Sequence, residues 1–216
     1  MQRHSTNFGA GNKQQHTLAG EVCIEGVTLH KGFPGKLLIK PALANHGIVF
    51  KRIDVKSPTN LVKASWDSVS DTALCTTVSN ESGISVSTIE HLMAAFAGCA
   101  IDNALVEINC PEIPIMDGSA RPFVDMFEKV GVYQQKASRK YIKILKPIKI
   151  LENDACIELS PAKSFSIDFE IDFNSEAIKD TSFNISLVNG AFNHEISSAR
   201  TFGFLEDVDR MRLAGF

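Results

Sequence analysis

The feature that most constrains the fold is a short apolar helix predicted for residues 87–98, whose first turn carries an acid and a histidine side by side. At 100° per residue, one stripe of its surface is apolar and is predicted to face a core. The stripe consists of Ile89, Leu92, Met93 and Phe96. Small residues replace charges on the opposite side, namely Ala94, Ala95 and Ala97. We therefore predict a second layer packed closely on that side, which makes Glu90 and His91 the polar groups of an enclosed helix.

Glu90 and His91 each allow two interpretations. In the first, Ser87 and Glu90 form a capping box, in which each side chain accepts a hydrogen bond from the backbone N–H of the other. His91 is then a histidine of the core or its boundary. In the second, Glu90 is a general base beside a zinc site and His91 is one of the zinc ligands. The helix alone leaves both interpretations open.

Length and charge exclude several classes of protein. The chain has 216 residues, of which 22 are basic and 25 acidic, for a formal net charge of -3. These charges are spread along the chain, so no nucleic acid partner is expected. No apolar run approaches the length of a membrane span, so stable membrane insertion is not expected either. We expect a small or neutral partner.

The cysteines and the first residues indicate where the protein works. Five cysteines are widely spaced and form no C-x-x-C pair. This pattern argues against a disulfide framework and a thiolate zinc site, and it favours the cytoplasm. Residues 1–16 are polar and lack the apolar segment of a signal peptide, so we predict a disordered leader.

The residues around the helix predict strands. An extended pattern of apolar and turn residues from Thr17 to Lys40 predicts a hairpin, with His30 between two glycines in its connection. β-branched residues predict further strands at 47–53 and 71–78 before the helix, and alternation predicts another at 104–108 after it. The first half is therefore predicted to be a β-rich layer laid against a helix.

Residues 111–120 are a rigid approach to a second helix. Two prolines fix φ, Asp117 and Gly118 predict a turn, and Ser119 is the predicted N-cap. Gly131 is the predicted C-cap. The apolar stripe of this helix consists of Phe123, Met126, Phe127 and Val130. Asp117 is interpreted first as a turn residue, and a role in a site is the alternative.

The polar residues 132–140 predict a boundary between two domains. The predicted parts are a leader at 1–16, a first α+β domain at 17–132 and a second at 140–216 that is incomplete at its C-terminus. Strands of the second part are predicted at 141–150, 155–159, 165–173 and 183–187. Strict alternation in residues 165–173 predicts one buried face, and a helix is predicted at 205–213. Sheet followed by helix in both halves predicts a duplicated architecture.

Four stretches together resemble one known family. They are Gly26-Val27-x-Leu29-His30-x-Gly32, Thr88-Ile89-Glu90-His91-Leu92, the run from Pro111 to Ser119, and Ala199-Arg200-Thr201-Phe202-Gly203-Phe204. They resemble the zinc-dependent UDP-3-O-acyl-N-acetylglucosamine deacetylase family of Gram-negative lipid A biosynthesis. The resemblance extends from about residue 17 to the last residue, and the run Pro-Glu-Ile-Pro-Ile-Met-Asp-Gly-Ser is its most specific part.

The resemblance implies a fold, a reaction and a site. The fold is α+β, with two domains of similar topology, each a β-sheet layer with helices, and with the helices sandwiched between the sheets. The reaction removes the N-acetyl group from a small nucleotide sugar that carries an acyl chain. The implied cofactor is Zn2+, with His91 as a ligand, Glu90 as general base and Thr201 as a donor to the oxyanion at the amide carbonyl. The matches near the passage for the acyl chain are Leu74, Cys75 and Phe202.

The sequence departs from the family's pattern after His91. The family places a second histidine and an aspartate ligand in a His-Lys-x-x-x-Asp pattern on a later helix, and a general-acid histidine lies further on. This sequence contains none of them, and its only later histidine is His194. A catalytic zinc needs about three protein ligands, so the remaining ligands are expected beyond residue 216.

We accordingly expect a truncated and inactive part of a longer enzyme, with a contiguous exposed apolar patch. The alternative is a noncatalytic short form, or a nucleotide-sugar or acyl-binding module, in which Glu90 is only a helix cap.

Overall fold

The computed structural model describes residues 13–173, 175, 178, 181–187 and 190–213. The strands are β1 (Gln14–Leu18), β2 (Val22–Val27), β3 (Pro34–Pro41), β4 (Ile48–Arg52), β5 (Leu61–Lys63), β6 (Val69–Asp71), β7 (Thr77–Ser79), β8 (Ser85–Val86), β9 (Ala104–Ile108), β10 (Val132–Ser138), β11 (Ile148–Glu152), β12 (Ala155–Leu159), β13 (Ser166–Glu170) and β14 (Ser182–Ser186). The α-helices are α1 (Glu90–Gly98), α2 (Arg121–Val130) and α3 (Leu205–Leu213). Trp66–Ser68 form a 3-10 turn and Phe192–Ile196 a π-helical turn.

The core lies between a five-stranded sheet and the first two α-helices. The strand order is β2-β3-β9-β4-β5, and neighbours are antiparallel except for the parallel pair β4 and β9. Side chains alternate between the faces of a strand, so the register places buried Leu37 opposite buried Ile108, and Ile39 opposite Val106. That face joins one apolar cluster with helix residues that include Leu92, Phe96, Phe123 and Phe127.

The predicted hairpin is confirmed as β2 paired with β3. The strands predicted at 47–53 and 104–108 are also confirmed, as β4 and β9. The strand predicted for 71–78 is wrong, because β6 ends at Asp71 and β7 begins at Thr77. The chain bends between them, where Oδ1 of Asp71 accepts a hydrogen bond from the N–H of Ala73 at 3.1 Å. This turn competes successfully with the β propensity of the segment.

Helix α1 begins at Glu90, and its N-cap residue is Ile89, two residues after the predicted cap Ser87. The capping box is wrong, since Ile89 is the N-cap residue and no side chain caps the helix. Ser87 forms an isolated parallel bridge with Glu112, and its hydroxyl donates to the carbonyl of Pro111 at 3.2 Å. Ser87 therefore belongs to an extended segment and cannot cap the helix.

Helix α1 packs on two sides, but the layer predicted over Ala94, Ala95 and Ala97 is incomplete, since Ala95 is buried, Ala94 is half-buried and Ala97 is exposed. On one side the ring of Phe96 stacks on Phe127 of α2, with centroids 4.9 Å apart. On another side Gly98 lies against Phe192, so closely that a Cβ atom at Gly98 would overlap the ring. Small residues on α1 thus allow the π-helical turn to pack directly on its last turn.

Helix α2 has the predicted apolar stripe, with Phe123 and Phe127 fully buried. Its predicted C-cap is confirmed, because Gly131 has φ of 82° and donates its N–H to the carbonyl of Phe127. The N-cap is Ala120 and not Ser119, so that prediction is off by one residue. The Ser119 hydroxyl still accepts from the N–H of Arg121, at 3.2 Å, and donates to Asp117.

The polar residues predicted as a domain boundary form β10, which pairs antiparallel with β1. Residues 14–16, predicted as part of the leader, are likewise strand residues, and Gln15 and His16 are buried. The reason is a network of buried amides, in which Nε2 of Gln15 donates to the carbonyl of Ser138 at 2.9 Å. Residues 1–12 of the predicted leader lie outside the described residues.

All four predicted strands of the second half are present. β12 has the predicted bounds, β14 is shifted by one residue, and β11 and β13 are shorter than predicted. β11 pairs with β12 and β13 pairs with β14, each pair antiparallel. The buried face predicted for residues 165–173 is wrong, since Phe165 and Phe169 are 63% and 58% exposed. On the partner strand Phe183 is also exposed, whereas Ile185 is buried. The helix predicted at 205–213 is confirmed as α3.

The architecture mixes several sheets with few helices, so the predicted α+β class is confirmed. The duplicated topology of two domains stays a prediction. Within the described residues, no helix has the length and apolar character needed to cross a membrane.

Candidate functional site

The first turn of α1 presents Glu90 and His91, both half-buried. Oε2 of Glu90 accepts a hydrogen bond from the backbone N–H of Thr76 at 3.0 Å. The carbonyl of Thr76 in turn accepts from the N–H of Ile89 at 3.3 Å. Two hydrogen bonds therefore fasten the bend between β6 and β7 to the start of α1.

That bend carries two of the residues expected near an acyl chain. Leu74 is 56% exposed, and Cys75 is half-buried with its Sγ 3.8 Å from Oγ1 of Thr77. Because Thr76 is bonded to Glu90, the structure brings Leu74 and Cys75 into the neighbourhood of the predicted base. Sequence reasoning placed them there only through the family resemblance.

The backbone just before α1 is strained. Thr88 is buried and has φ of 56°, a left-handed conformation that is uncommon for a β-branched residue. Its hydroxyl donates to Oε1 of Glu112 at 3.3 Å. Strained residues of this kind cluster at functional sites, where the surrounding structure holds them in place.

Sequence reasoning assigned no role to Glu112, although it lies in the most specific stretch of the chain. The side chain is buried, and its Oε1 also accepts from the N–H groups of Leu29 and His30, each at 2.9 Å. The signal in the sequence was an acid between a proline and an isoleucine. An acid in that setting needs buried partners, but the sequence does not show which ones.

A second group of predicted residues meets at the Asp117–Gly118 turn. The N–H of Thr201 donates to the carbonyl of Gly118 at 2.9 Å, and Arg200 lies 3.4 Å from Oδ2 of Asp117. The hydrogen bond from Ser119, with a smaller contribution from Arg200, lowers the pKa of Asp117. Asp117 is thus both a turn residue and an anchor for the segment that carries Thr201, whose own side chain is exposed.

Phe202 follows Thr201 and belongs to an aromatic cluster. Its ring meets Phe173 and Phe204 edge to face, with centroids 5.3 and 5.9 Å away. Phe202 is 58% exposed, so the cluster supports the ring and leaves one of its sides accessible.

The two groups remain separate. In the part of the chain that the structure describes, no hydrogen bond or ion pair joins Glu90 or His91 to Thr201. The same described residues contain no group of three His, Cys, Asp or Glu side chains suited to a metal ion. His91 is therefore a single candidate ligand, and the donors present do not make up a zinc site.

Comparison with known proteins shows which family the sequence matches. Residues 15–216 match the family model described as UDP-3-O-acyl N-acetylglycosamine deacetylase. The chain is 45% identical over 201 residues to a protein of Idiomarina loihiensis named UDP-3-O-acyl-N-acetylglucosamine deacetylase, a match that covers 92% of this chain and 65% of that protein. A protein of the same name from Phenylobacterium zucineum is 43% identical over 201 residues, which are 93% of this chain and 69% of that protein.

A third relative of that name, from Shewanella pealeana, is 46% identical over 200 residues, covering 92% of this chain and 65% of its own length. The chain thus spans about two thirds of the length of such relatives. Because the family model matches nearly all of the described residues, the chain belongs to the UDP-3-O-acyl N-acetylglycosamine deacetylase family.

Proposed function

We propose that this chain is part of a zinc-dependent amidohydrolase that removes the N-acetyl group from UDP-3-O-acyl-N-acetylglucosamine in lipid A biosynthesis. The relatives bear the name of this activity. The observation that carries the proposal is the placement of Glu90. This acid is half-buried and adjacent to His91, and its carboxyl group does not cap its own helix but accepts a hydrogen bond from Thr76.

Glu90 is the proposed general base. Its Oε2 accepts from Thr76, whereas within the described residues Oε1 takes part in no hydrogen bond or ion pair. One oxygen therefore orients the carboxyl group and the other is available to accept a proton from the attacking water. The water oxygen bonds to the amide carbon as the carbonyl opens to an oxyanion. When the carbonyl re-forms, the C–N bond breaks, and the proton taken by Glu90 returns to the leaving nitrogen, so that acetate and a free amine are released.

Thr201 is the proposed donor to the oxyanion that forms at the amide carbonyl. Its backbone is held by Gly118, and its exposed side chain is free of the core. A hydroxyl placed in advance stabilises developing negative charge without reorganisation, which is the usual advantage of an oxyanion donor.

His91 is the proposed zinc ligand. Zinc, when bound, makes water more acidic and polarises a carbonyl group. A site with about three protein ligands requires at least two donors that the described residues do not bring to His91. The proposed roles of Glu90 and Thr201 rest on their own contacts.

The proposed contacts of the acyl chain and the proposed cellular compartment each rest on a further observation. The exposed side chains of Leu74 and Phe202, together with Cys75, are the proposed contacts of the acyl chain. Leu74 and Cys75 directly precede Thr76, which is bonded to Glu90, and Phe202 directly follows Thr201. All five cysteines are free thiols, which supports a reducing compartment and hence the cytoplasm.

The test is release of acetate from UDP-3-O-acyl-N-acetylglucosamine by the full-length gene product. We expect turnover that a chelator abolishes and that added Zn2+ restores. Tight binding of the nucleotide sugar without acetate release would instead support the noncatalytic binding module. Turnover that survives complete removal of the metal would contradict the zinc requirement.

A further inference from the structure

The backbone around Glu112 is locked to the segment that enters α1. The N–H of Ser87 donates to the carbonyl of Pro111 at 2.9 Å, and the N–H of Ile113 donates to the carbonyl of Ser87 at 3.0 Å. These two bonds form the parallel bridge between Ser87 and Glu112. Glu112 therefore has a fixed position relative to the start of the helix.

The stretch after Glu112 is also locked to the hairpin that carries His30. The N–H of Ile115 donates to the carbonyl of Val27 at 3.1 Å. Pro114 lies directly on two glycines of the hairpin, where a Cβ atom at Gly26 or Gly35 would come within 3.0 or 2.8 Å of the proline ring. A side chain at Gly35 would therefore force the proline away, and one at Gly26 would make a tight contact with it.

The side chain of Glu112 connects the same two segments. Its Oε1 accepts from the N–H groups of Leu29 and His30 in the β2–β3 connection and from the hydroxyl of Thr88 on the other side. Glu112 is 2% exposed, so these bonds form away from bulk water and each is costly to lose. One buried oxygen thus joins two segments that are more than fifty residues apart in the chain.

We propose that Glu112 is a positioning residue, which sets the Glu90–His91 pair relative to the His30 connection by holding Thr88 in its strained conformation. The proposal rests on the proposed function. Thr88 lies two residues before Glu90, so a change in its φ would swing the first turn of α1 and alter the hydrogen bond between Glu90 and Thr76. A displacement of about 1 Å at a general base is enough to lower turnover about a hundredfold.

The variants separate this role from a contribution to stability. Glu112→Gln keeps an oxygen that can accept the three hydrogen bonds, Glu112→Ala removes it, and Thr88→Ala removes one bond only. Glu107→Ala is the matched control, because Glu107 forms ion pairs with Lys40 and Lys51 on the sheet, away from the first turn of α1. Each variant is made in the full-length protein and measured well below its melting temperature.

Two readouts are needed, namely kcat and KM for deacetylation and the NMR chemical shift of the Thr76 amide, which reports on Glu90. We expect Glu112→Ala to lower kcat about a hundredfold with little change in KM and to shift the Thr76 amide. We expect Glu112→Gln to restore both, Thr88→Ala to have a smaller effect of the same kind, and Glu107→Ala to leave both unchanged.

A Glu112→Ala protein with normal kcat and an unshifted Thr76 amide would overturn the proposal, and so would equal effects of Glu112→Ala and Glu107→Ala. If Glu112→Ala does not fold, Thr88→Ala decides, and an unshifted Thr76 amide in that variant counts against the proposal. Failure of the proposed function is a different result, in which the wild-type protein releases no acetate while the Thr76 amide still reports on Glu112.

Discussion

Oε2 of Glu90 lies 3.0 Å from the backbone nitrogen of Thr76, fourteen residues earlier in the chain. The acid that starts α1 is thus bonded to a bend in a neighbouring layer and not to its own helix. This contact gives the carboxyl group a fixed orientation, and it ties the bend that carries Leu74 and Cys75 to the predicted base.

The first prediction concerns that bend. Glu90→Ala should increase the hydrogen-exchange rate of the Thr76 amide about tenfold, because the amide loses its acceptor, whereas Glu90→Gln should keep most of the protection. Glu81→Ala is the control, since Glu81 is exposed in the turn between β7 and β8. Equal protection of Thr76 in wild type and Glu90→Ala would contradict the contact.

The second prediction concerns Gly98. Alanine is the better helix former by about 1 kcal/mol, but its methyl group would overlap the ring of Phe192. We expect Gly98→Ala to lower the free energy of unfolding by about 1 to 3 kcal/mol, measured by urea denaturation.

Gly203→Ala is the matched control, because a Cβ atom there would make an ordinary contact with Val208 at 3.8 Å. In a Phe192→Ala background the cost of Gly98→Ala should shrink. A stabilising Gly98→Ala in the wild-type background would show that the two residues do not pack as described.

The third prediction concerns the amide network beneath β1 and β10. Asn103 is buried, and its Nδ2 donates to the side-chain oxygens of Gln15 at 2.9 Å and Gln135 at 2.8 Å. Its Oδ1 accepts from the N–H of Gly47 at 2.8 Å. Asn103→Ala should cost about 2 to 3 kcal/mol of unfolding free energy, since it removes three hydrogen bonds made by a buried side chain, each worth about 1 kcal/mol.

Asn109→Ala is its control, because Asn109 is exposed and accepts from the N–H of Lys36. We expect that substitution to cost less than about 1 kcal/mol. Equal costs for the two asparagines would count against a role of the buried network in stability.

The fourth prediction is a pH dependence of stability that comes from His16. Burial, and to a smaller degree the charge of Arg139, lowers the pKa of His16 against the opposing effect of Asp102. The folded protein therefore binds this proton less readily than the unfolded chain. The corresponding stability is fully present above the ordinary pKa of about 6.5 and is lost as the pH falls below it towards the folded pKa.

The unfolding free energy should accordingly fall between about pH 7 and pH 5. The dependence of the unfolding free energy on pH should become weaker in His16→Gln. It should be unchanged in His46→Gln, which alters an exposed loop histidine. The pKa values of Asp54 and Glu107 are also lowered, chiefly by hydrogen bonds from Arg52 and Lys40, but their contribution is lost only as the pH falls below about 4. An identical slope in wild type and His16→Gln would contradict the assignment.

Sequence patterns correctly predicted the features that depend on interactions between residues close together in the chain. The stripe of α2 and its C-cap at Gly131 were readable because each depends on residues within one or two turns. The pairing of β10 with β1 was not readable, since Gln135 looks like a linker residue until Ala42 and Asn103 supply its partners. Phe169 in β13 and Phe165 just before it show the same limit, because alternation predicts which side chains share a face of a strand but not whether another element covers that face.

The residues of the candidate site also differ in how far they could be predicted from the sequence. Glu90 and His91 were visible as adjacent polar residues on an apolar helix, but the capping box failed because Ser87 pairs with a segment 25 residues away that no local pattern reveals. Glu112 was missed for a similar reason. Its donors at Leu29 and His30 are more than eighty residues earlier in the chain.

The most direct test of the account is the deacetylation rate of Glu90→Gln in the full-length protein, with bound zinc measured on the same sample. Glutamine keeps the size of the side chain and an acceptor for Thr76, but it cannot accept the proton. We predict a fall in kcat of about two to four orders of magnitude with zinc retained, and loss of zinc as well as activity in His91→Ala. Near-normal turnover in Glu90→Gln would contradict the assignment of Glu90 as the base.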